Sequence, residues 1–135
     1  MGGVRPVKNH TAAVEELLKD PAFDHVYFDI PWDEVAKYLV SSPEATRICA
    51  DLINRYTDRF RLGTDKVAPT TQEKYLKVFY RYGPLWDLLT KDAVQKVRKG
   101  NDERIFDQAR LKVRAWEKTH AAEAPGERSK PDLQR

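Results

Sequence analysis

The chain has 135 residues, of which 41% are hydrophobic and 33% are charged, a composition typical of one soluble globular domain. Its 24 basic and 21 acidic residues give a net charge of +3, too small and too well mixed to indicate dedicated polyanion binding. A single cysteine, Cys49, excludes an intramolecular disulfide, no apolar run reaches the roughly 18 residues of a membrane-spanning helix, and the first residues lack the apolar core of a secretory signal. We therefore expect an intracellular, reducing compartment.

The first part of the chain predicts two helices with an extended segment between them. A first helix over residues 11–19 ends before Pro21, because proline lacks a backbone N–H. Residues 21–30 are apolar without a clear period, and we expect them to lie extended on the core. A second helix begins near Pro31. Its apolar positions recur at helical spacing: Trp32, Val35, Ala36, Leu39 and Val40.

The third helix has the clearest signals. Ser42 is suited to the N-cap and Pro43 to the first helical position. The apolar stripe follows the i, i+3, i+4, i+7 pattern through Ala45, Ile48, Cys49, Leu52, Ile53, Tyr56 and Phe60. Gly63 fits the position just after a helix end, so the helix is predicted to continue almost to this glycine.

Three further helices are predicted in the second half of the chain. A capping box at residues 70–73 begins a fourth helix from about 71 to 82. The Gly83-Pro84 pair ends it, and a fifth helix covers roughly 85–99, up to Gly100. A sixth, capped by Asn101 or Asp102, runs from about 102 to 121. Its apolar stripe, expected to pack in the core, is Ile105, Phe106, Ala109, Val113 and Trp116.

The expected fold is therefore all-α. We predict a compact bundle of five or six helices over residues 1–122, followed by a flexible C-terminal tail over residues 123–135. The tail contains two prolines, one glycine and a single apolar residue after Ala124, too little to form a core of its own. Bound by a partner, it could serve as an extended arm.

Motifs for catalysis, cofactors and metals are absent from the sequence. The histidines at 10, 25 and 120 stand alone, with no metal-ligand spacing around them, and no glycine-rich phosphate loop or nucleophile motif occurs. Cys49 lies on an apolar stripe, where a buried, inert thiol is the better interpretation. We expect no catalytic residue, no cofactor and no metal, although carboxylates brought together by folding stay an open alternative.

The fourth helix is unusually apolar. Tyr75, Val78, Phe79 and Tyr82 form one stripe, Leu76 and Tyr80 form a second, and only Lys74, Lys77 and Arg81 are left for water. Such a helix is buried on more than one side, either within its own bundle or between its bundle and a partner. On the second interpretation, the residues predicted to contact the partner are Tyr75, Leu76, Tyr80, Tyr82 and Trp86.

Binding of nucleic acid is the main alternative. Five arginines could carry it: Arg55, Arg59, Arg61, Arg110 and Arg114. However, Glu103 and Asp107 share a helical sector with the last two, and acids would repel a phosphate backbone. A free-standing helical regulator is a third possibility that the sequence does not distinguish.

Two segments carry a family resemblance. "FDIPWDEVAKYL" has Trp32, Val35 and Ala36 opening a helix, with Ala45 beyond it, and "YLKVFYRYGPLWD" has a tyrosine-bearing helix that ends in glycine with an acid shortly after. Over residues 28–95 this pattern resembles the peripheral-stalk subunit d of mitochondrial F-type ATP synthases. Here Ile30 and Pro31 separate Asp29 from the tryptophan, and Pro84 follows the glycine.

The resemblance implies a non-catalytic stator element. Its partners would be other subunits of a membrane-associated complex that couples proton transport to ATP synthesis, on the matrix side of the inner mitochondrial membrane, with no membrane span of its own. We therefore predict a structural subunit of a larger protein assembly.

Overall fold

The computed structural model describes residues 9–31, 33–63, 65 and 68–120. Its helices, in chain order, are α1 (His10–Lys19), α2 (Asp33–Leu39), α3 (Pro43–Arg55), α4 (Gln72–Arg81), α5 (Gly83–Trp86), α6 (Lys91–Gln95) and α7 (Asn101–His120). Two strands, β1 (Phe28–Ile30) and β2 (Phe60–Leu62), form a small parallel sheet. The all-α prediction is confirmed. Trp32, the tail and its predicted start at residue 123 lie outside the described residues.

The chain divides into two compact units, one up to Glu103 and the other from Arg104 onward. In the first unit, α1, α2 and α5 all pack against α3. The side chains of its hydrophobic core come from α1 to α5, from both strands and from the π-helical segment after α6. They are Val14, Leu18, Ile30, Ala36, Cys49, Ala50, Leu52, Ile53, Phe60, Leu62, Val78, Tyr82, Leu85 and Val97.

Helix starts agree with the capping signals. The Ser42 hydroxyl accepts a hydrogen bond from the backbone N–H of Ala45 at 3.1 Å, and Pro43 occupies the first turn of α3. The Thr71 hydroxyl does the same for the N–H of Lys74 at 3.3 Å at the start of α4. Both interactions satisfy a backbone donor that the first helical turn leaves unpaired.

The end of the third helix was predicted wrongly. α3 stops at Arg55, Tyr56 leaves the helical conformation, and residues 60–62 form β2, which pairs in parallel with β1. Phe60 and Leu62 are buried while the residue between them is half-buried, so the segment alternates as a strand does. Phe60, four residues beyond Tyr56, fits the spacing of a helix as well as that of a strand. Only its pairing with the distant strand β1 makes the segment a strand.

The predicted fifth helix is also different. Its first turn is α5, residues 87–90 leave the helix, and Thr90 caps α6 through a hydrogen bond from the N–H of Ala93 at 3.1 Å. Gly100 does not end a helix. It lies in a wider, π-helical segment, Lys96–Gly100, in which the N–H of Asn101 donates to the carbonyl oxygen of Lys96.

Asn101 does not act as a cap. Its side chain is 1% exposed, and its amide nitrogen donates to the carbonyl oxygens of Thr57 and Phe60, both at 2.7 Å. This amide therefore ties the start of α7 to the turn that precedes β2.

Candidate protein-docking surfaces

Two of the aromatic residues predicted to contact a partner belong to the core of the first unit. Tyr82 is completely buried, and its hydroxyl donates to the carbonyl oxygen of Pro31 at 3.1 Å. Its ring lies 5.8 Å from that of Trp86, which is half-buried and has the Arg98 guanidinium 5.9 Å from its ring centre. Tyr82 is therefore a packing residue of this chain, because its ring contacts Trp86 of α5 and its hydroxyl is bound to Pro31.

The other three predicted contacts differ in exposure. Tyr80 is 73% exposed and Tyr75 is 38% exposed, whereas Leu76 is half-buried. At about 100° per helical residue, Tyr75 and Tyr80 point about 140° apart. They do not form one continuous apolar surface, so α4 presents single exposed tyrosines.

Among the described residues, α7 carries an aligned stripe of exposed apolar side chains. Phe106 is 57% exposed, Val113 is 52% and Trp116 is 60%. With Ala109 between them, these side chains follow i, i+3, i+7 and i+10 and share one side of the helix. The stripe was expected to be buried in a core, but in the structure these three side chains are exposed and Ile105 is half-buried. We call the set Phe106, Ala109, Val113, Trp116 and His120 the α7 face.

The C-terminal end of the α7 face is ordered by local contacts. The indole of Trp116 stacks on the ring of His120, with 4.5 Å between ring centroids and 15° between planes. The Thr119 hydroxyl donates to the carbonyl oxygen of Trp116 at 2.8 Å. The tryptophan is therefore presented in a defined orientation. Leu111, 69% exposed, lies on the opposite side of the helix and outside the face.

The arginines proposed for nucleic-acid binding in the first unit are already engaged. Arg55 binds Glu15, and this arginine, with Lys19, holds the pKa of that carboxyl at about 2. Arg59 donates to the carbonyl oxygens of Phe23 and Val26, and its side chain is only 13% exposed. These two guanidinium groups stabilise turns and helix contacts of the chain itself.

The remaining three arginines have carboxylate partners as well. Arg61 contacts Asp29 on the neighbouring strand and Asp102 at 3.3 Å, so its charge is shared between two acids. On α7, Arg110 lies 3.7 Å from Asp107, and Arg114 lies 2.7 Å from Glu117. Phosphate binding would compete with each of these pairs, which weakens the nucleic-acid alternative.

A cavity of about 110 Å³ opens between α1, α2, α3 and the two strands. Its walls are mainly apolar, with His10, Thr11, Asp29 and Cys49 as the polar members. Burial raises the pKa of the Cys49 thiol above its usual range, so the thiol stays protonated and is a poor nucleophile. The cavity could admit a small apolar group, and sequence reasoning gave no sign of it.

No group of three histidine, cysteine or carboxylate side chains lies together as a metal site in the described part of the chain. Within the same residues, no helix combines the length and apolar character needed to cross a membrane. Comparison of the chain with protein-family models, with curated proteins and with solved structures found no match.

Proposed function

We propose that this chain is a non-catalytic structural subunit of a larger protein assembly, and that it binds a neighbouring subunit through the α7 face. The observation that carries the proposal is the exposure of Phe106, Val113 and Trp116 along one side of a single helix. Apolar side chains exposed singly need no explanation, but an aligned set is typical of a helix that docks into a partner.

Covering the α7 face would supply part of the free energy that binding requires. A buried aromatic side chain contributes roughly 150–250 Å², so the exposed parts of Phe106 and Trp116 amount to roughly 100–150 Å² each. At about 25 cal/mol per Å², covering either ring gives about 3 kcal/mol before the costs of association. Tryptophan and phenylalanine are also residue types enriched in interface cores.

The first unit supports a structural role in a different way. The structure reports no buried side-chain nitrogen or oxygen atom without a hydrogen-bond partner in the described residues. The charged groups considered above are paired with one another. Such internal pairing of polar groups is what a structural element requires.

The proposal extends to a particular assembly, the peripheral stalk of mitochondrial ATP synthase on the matrix side of the inner membrane. Its support is the resemblance of residues 28–95 to subunit d of that stalk. Under this extension, the affinity-tagged chain migrates with ATP synthase subunits on native gels of mitochondrial membranes. If the chain is absent from that band, it is not part of the peripheral stalk, but it can still be a structural subunit of another assembly.

The wider proposal is tested by altering the α7 face in the full-length chain. A tagged chain in native extracts should elute with a mass well above that of a single copy, and Val113→Ser with Trp116→Ser should remove it from that fraction. Leu111→Ser is the matched control, because it also replaces an exposed apolar residue of α7 but lies outside the face. If the control and the face variants behave alike, the α7 face is not the docking surface.

A further inference from the structure

The α7 face has the 3-4 spacing of a coiled-coil seam. From Phe106 onward its members are separated by three, four, three and four residues, which assigns Phe106, Val113 and His120 to heptad position a and Ala109 and Trp116 to position d. The 3-4 spacing, rather than the residue types at a and d, is the feature of a helix that pairs with another helix. The repeat therefore indicates one partner helix that presents a similar seam.

The charges beside this seam specify which helix fits. Lys112 occupies position g and Glu117 the following position e. In a parallel pair of helices, g of one chain lies beside the next e of the other, so two copies of α7 would form Lys112–Glu117 pairs on both sides. In an antiparallel pair, g faces g and e faces e, which would place Lys112 against Lys112 and Arg110 against Arg110.

We infer that the occupant of the α7 face is a second copy of this chain, with the two α7 helices parallel. Lys112 is exposed and has no ion-pair partner within the described residues, so it is available to the second copy. Glu117 contacts Arg114 through one carboxylate oxygen at 2.7 Å, and a carboxylate accepts more than one donor. This inference rests on the proposed function only in taking the α7 face as a docking surface.

The pairing is tested with charge reversals in the purified full-length chain, followed by analytical ultracentrifugation over a range of concentrations. Lys112→Glu places two glutamates opposite two glutamates, and Glu117→Lys does the same with lysines. Since each change turns two attractive pairs into two repulsive ones, we expect each to weaken the dimer by about tenfold. An equimolar mixture of the two variants restores association, because the heterodimer regains both opposite-charge pairs.

Lys118→Glu is the matched control. It makes the same change of charge on the same helix, but position 118 is f in the heptad and lies away from the seam. We expect its dimer to match the wild type, and circular dichroism should show equal helix content in all variants.

Several results would overturn the inference. The wild-type chain could stay monomeric at every concentration, or Lys112→Glu could leave the dimer unchanged, as an antiparallel pair requires. A monomeric purified chain that still enters a large complex in extracts, dependent on the α7 face, refutes self-association and keeps the proposed function. A parallel dimer that binds no further subunit in extracts supports self-association and refutes the proposed function.

Discussion

Asn101→Ala should be among the most destabilising single substitutions outside the apolar core. The change removes two hydrogen bonds of 2.7 Å from a side chain that is 1% exposed, and leaves the carbonyl oxygens of Thr57 and Phe60 without this donor. Each hydrogen bond is worth about 1 kcal/mol net, and an unsatisfied buried group costs about 1–3 kcal/mol. We expect the free energy of unfolding to fall by about 2–4 kcal/mol, a large part of the stability of a small domain.

Urea unfolding followed by tryptophan fluorescence measures this loss, provided that the dependence on urea concentration stays as in the wild type. Asn54→Ala is the matched control. Asn54 also makes two amide hydrogen bonds, to the carbonyl oxygen of Leu88 at 3.1 Å and from the N–H of Thr90 at 2.9 Å. It is only half-buried, so water can replace its side chain and the loss should be about 1 kcal/mol or less. Equal losses at the two positions would refute the reasoning.

Asn101→Asp separates hydrogen bonding from shape. A carboxylate has almost the same size as the amide but only accepts hydrogen bonds, so at neutral pH it faces two carbonyl oxygens without a donor. Burial keeps its folded-state pKa above the unfolded value near 3.9. The deficit relative to wild type is then largest at neutral pH and shrinks as pH falls towards that value, because a protonated carboxyl donates one hydrogen bond. A deficit independent of pH would contradict this account.

Two further predictions concern titratable groups of the first unit. Arg55, together with Lys19, lowers the pKa of Glu15 from 4.5 to about 2, so these ion pairs stabilise the fold above pH 4.5 and the benefit is lost as pH falls to about 2. Glu15→Gln should therefore reduce the loss of stability between pH 4.5 and 2, and a loss equal to that of the wild type would count against the ion pairs. Cys49 is buried and its pKa is raised, so a thiol reagent should label it slowly in the native chain and rapidly in urea, whereas equal rates would show that the thiol is accessible.

Local signals predicted the helix starts, and non-local pairing explains what they missed. The caps at Ser42 and Thr71 act within three residues, so sequence alone places the starts of α3 and α4. The end of α3 depends on β1, whose Phe28 pairs with Phe60 from 32 residues away along the chain. Local periodicity contains no information about such a partner.

The sequence did not predict the α7 face as a docking surface, because apolar residues at helical spacing occur in cores as well as in interfaces. Tyr80 and Tyr82 are equally suited to a core or an interface by residue type, yet one is 73% exposed and the other is fully buried by contacts with Trp86 and Pro31. On α7 the same periodicity correctly identified Phe106, Val113 and Trp116 as one stripe. Periodicity states that a face is apolar, but not which molecule covers it.

Because α7 carries an exposed apolar face, we expect its backbone amides to be the least protected from hydrogen exchange in the isolated chain. Residues 104–120 are a single helical stretch, and helices of this length are marginal in water unless an apolar face is packed. Backbone amides there should exchange hydrogen faster than those of α3 when the chain is dilute, and slow down when the α7 face is occupied. Hydrogen-exchange mass spectrometry at low and high protein concentration measures both states, with Trp116→Ser as the variant that should stay unprotected. Protection that is strong at every concentration and unaffected by this variant would show that α7 is stabilised without a partner.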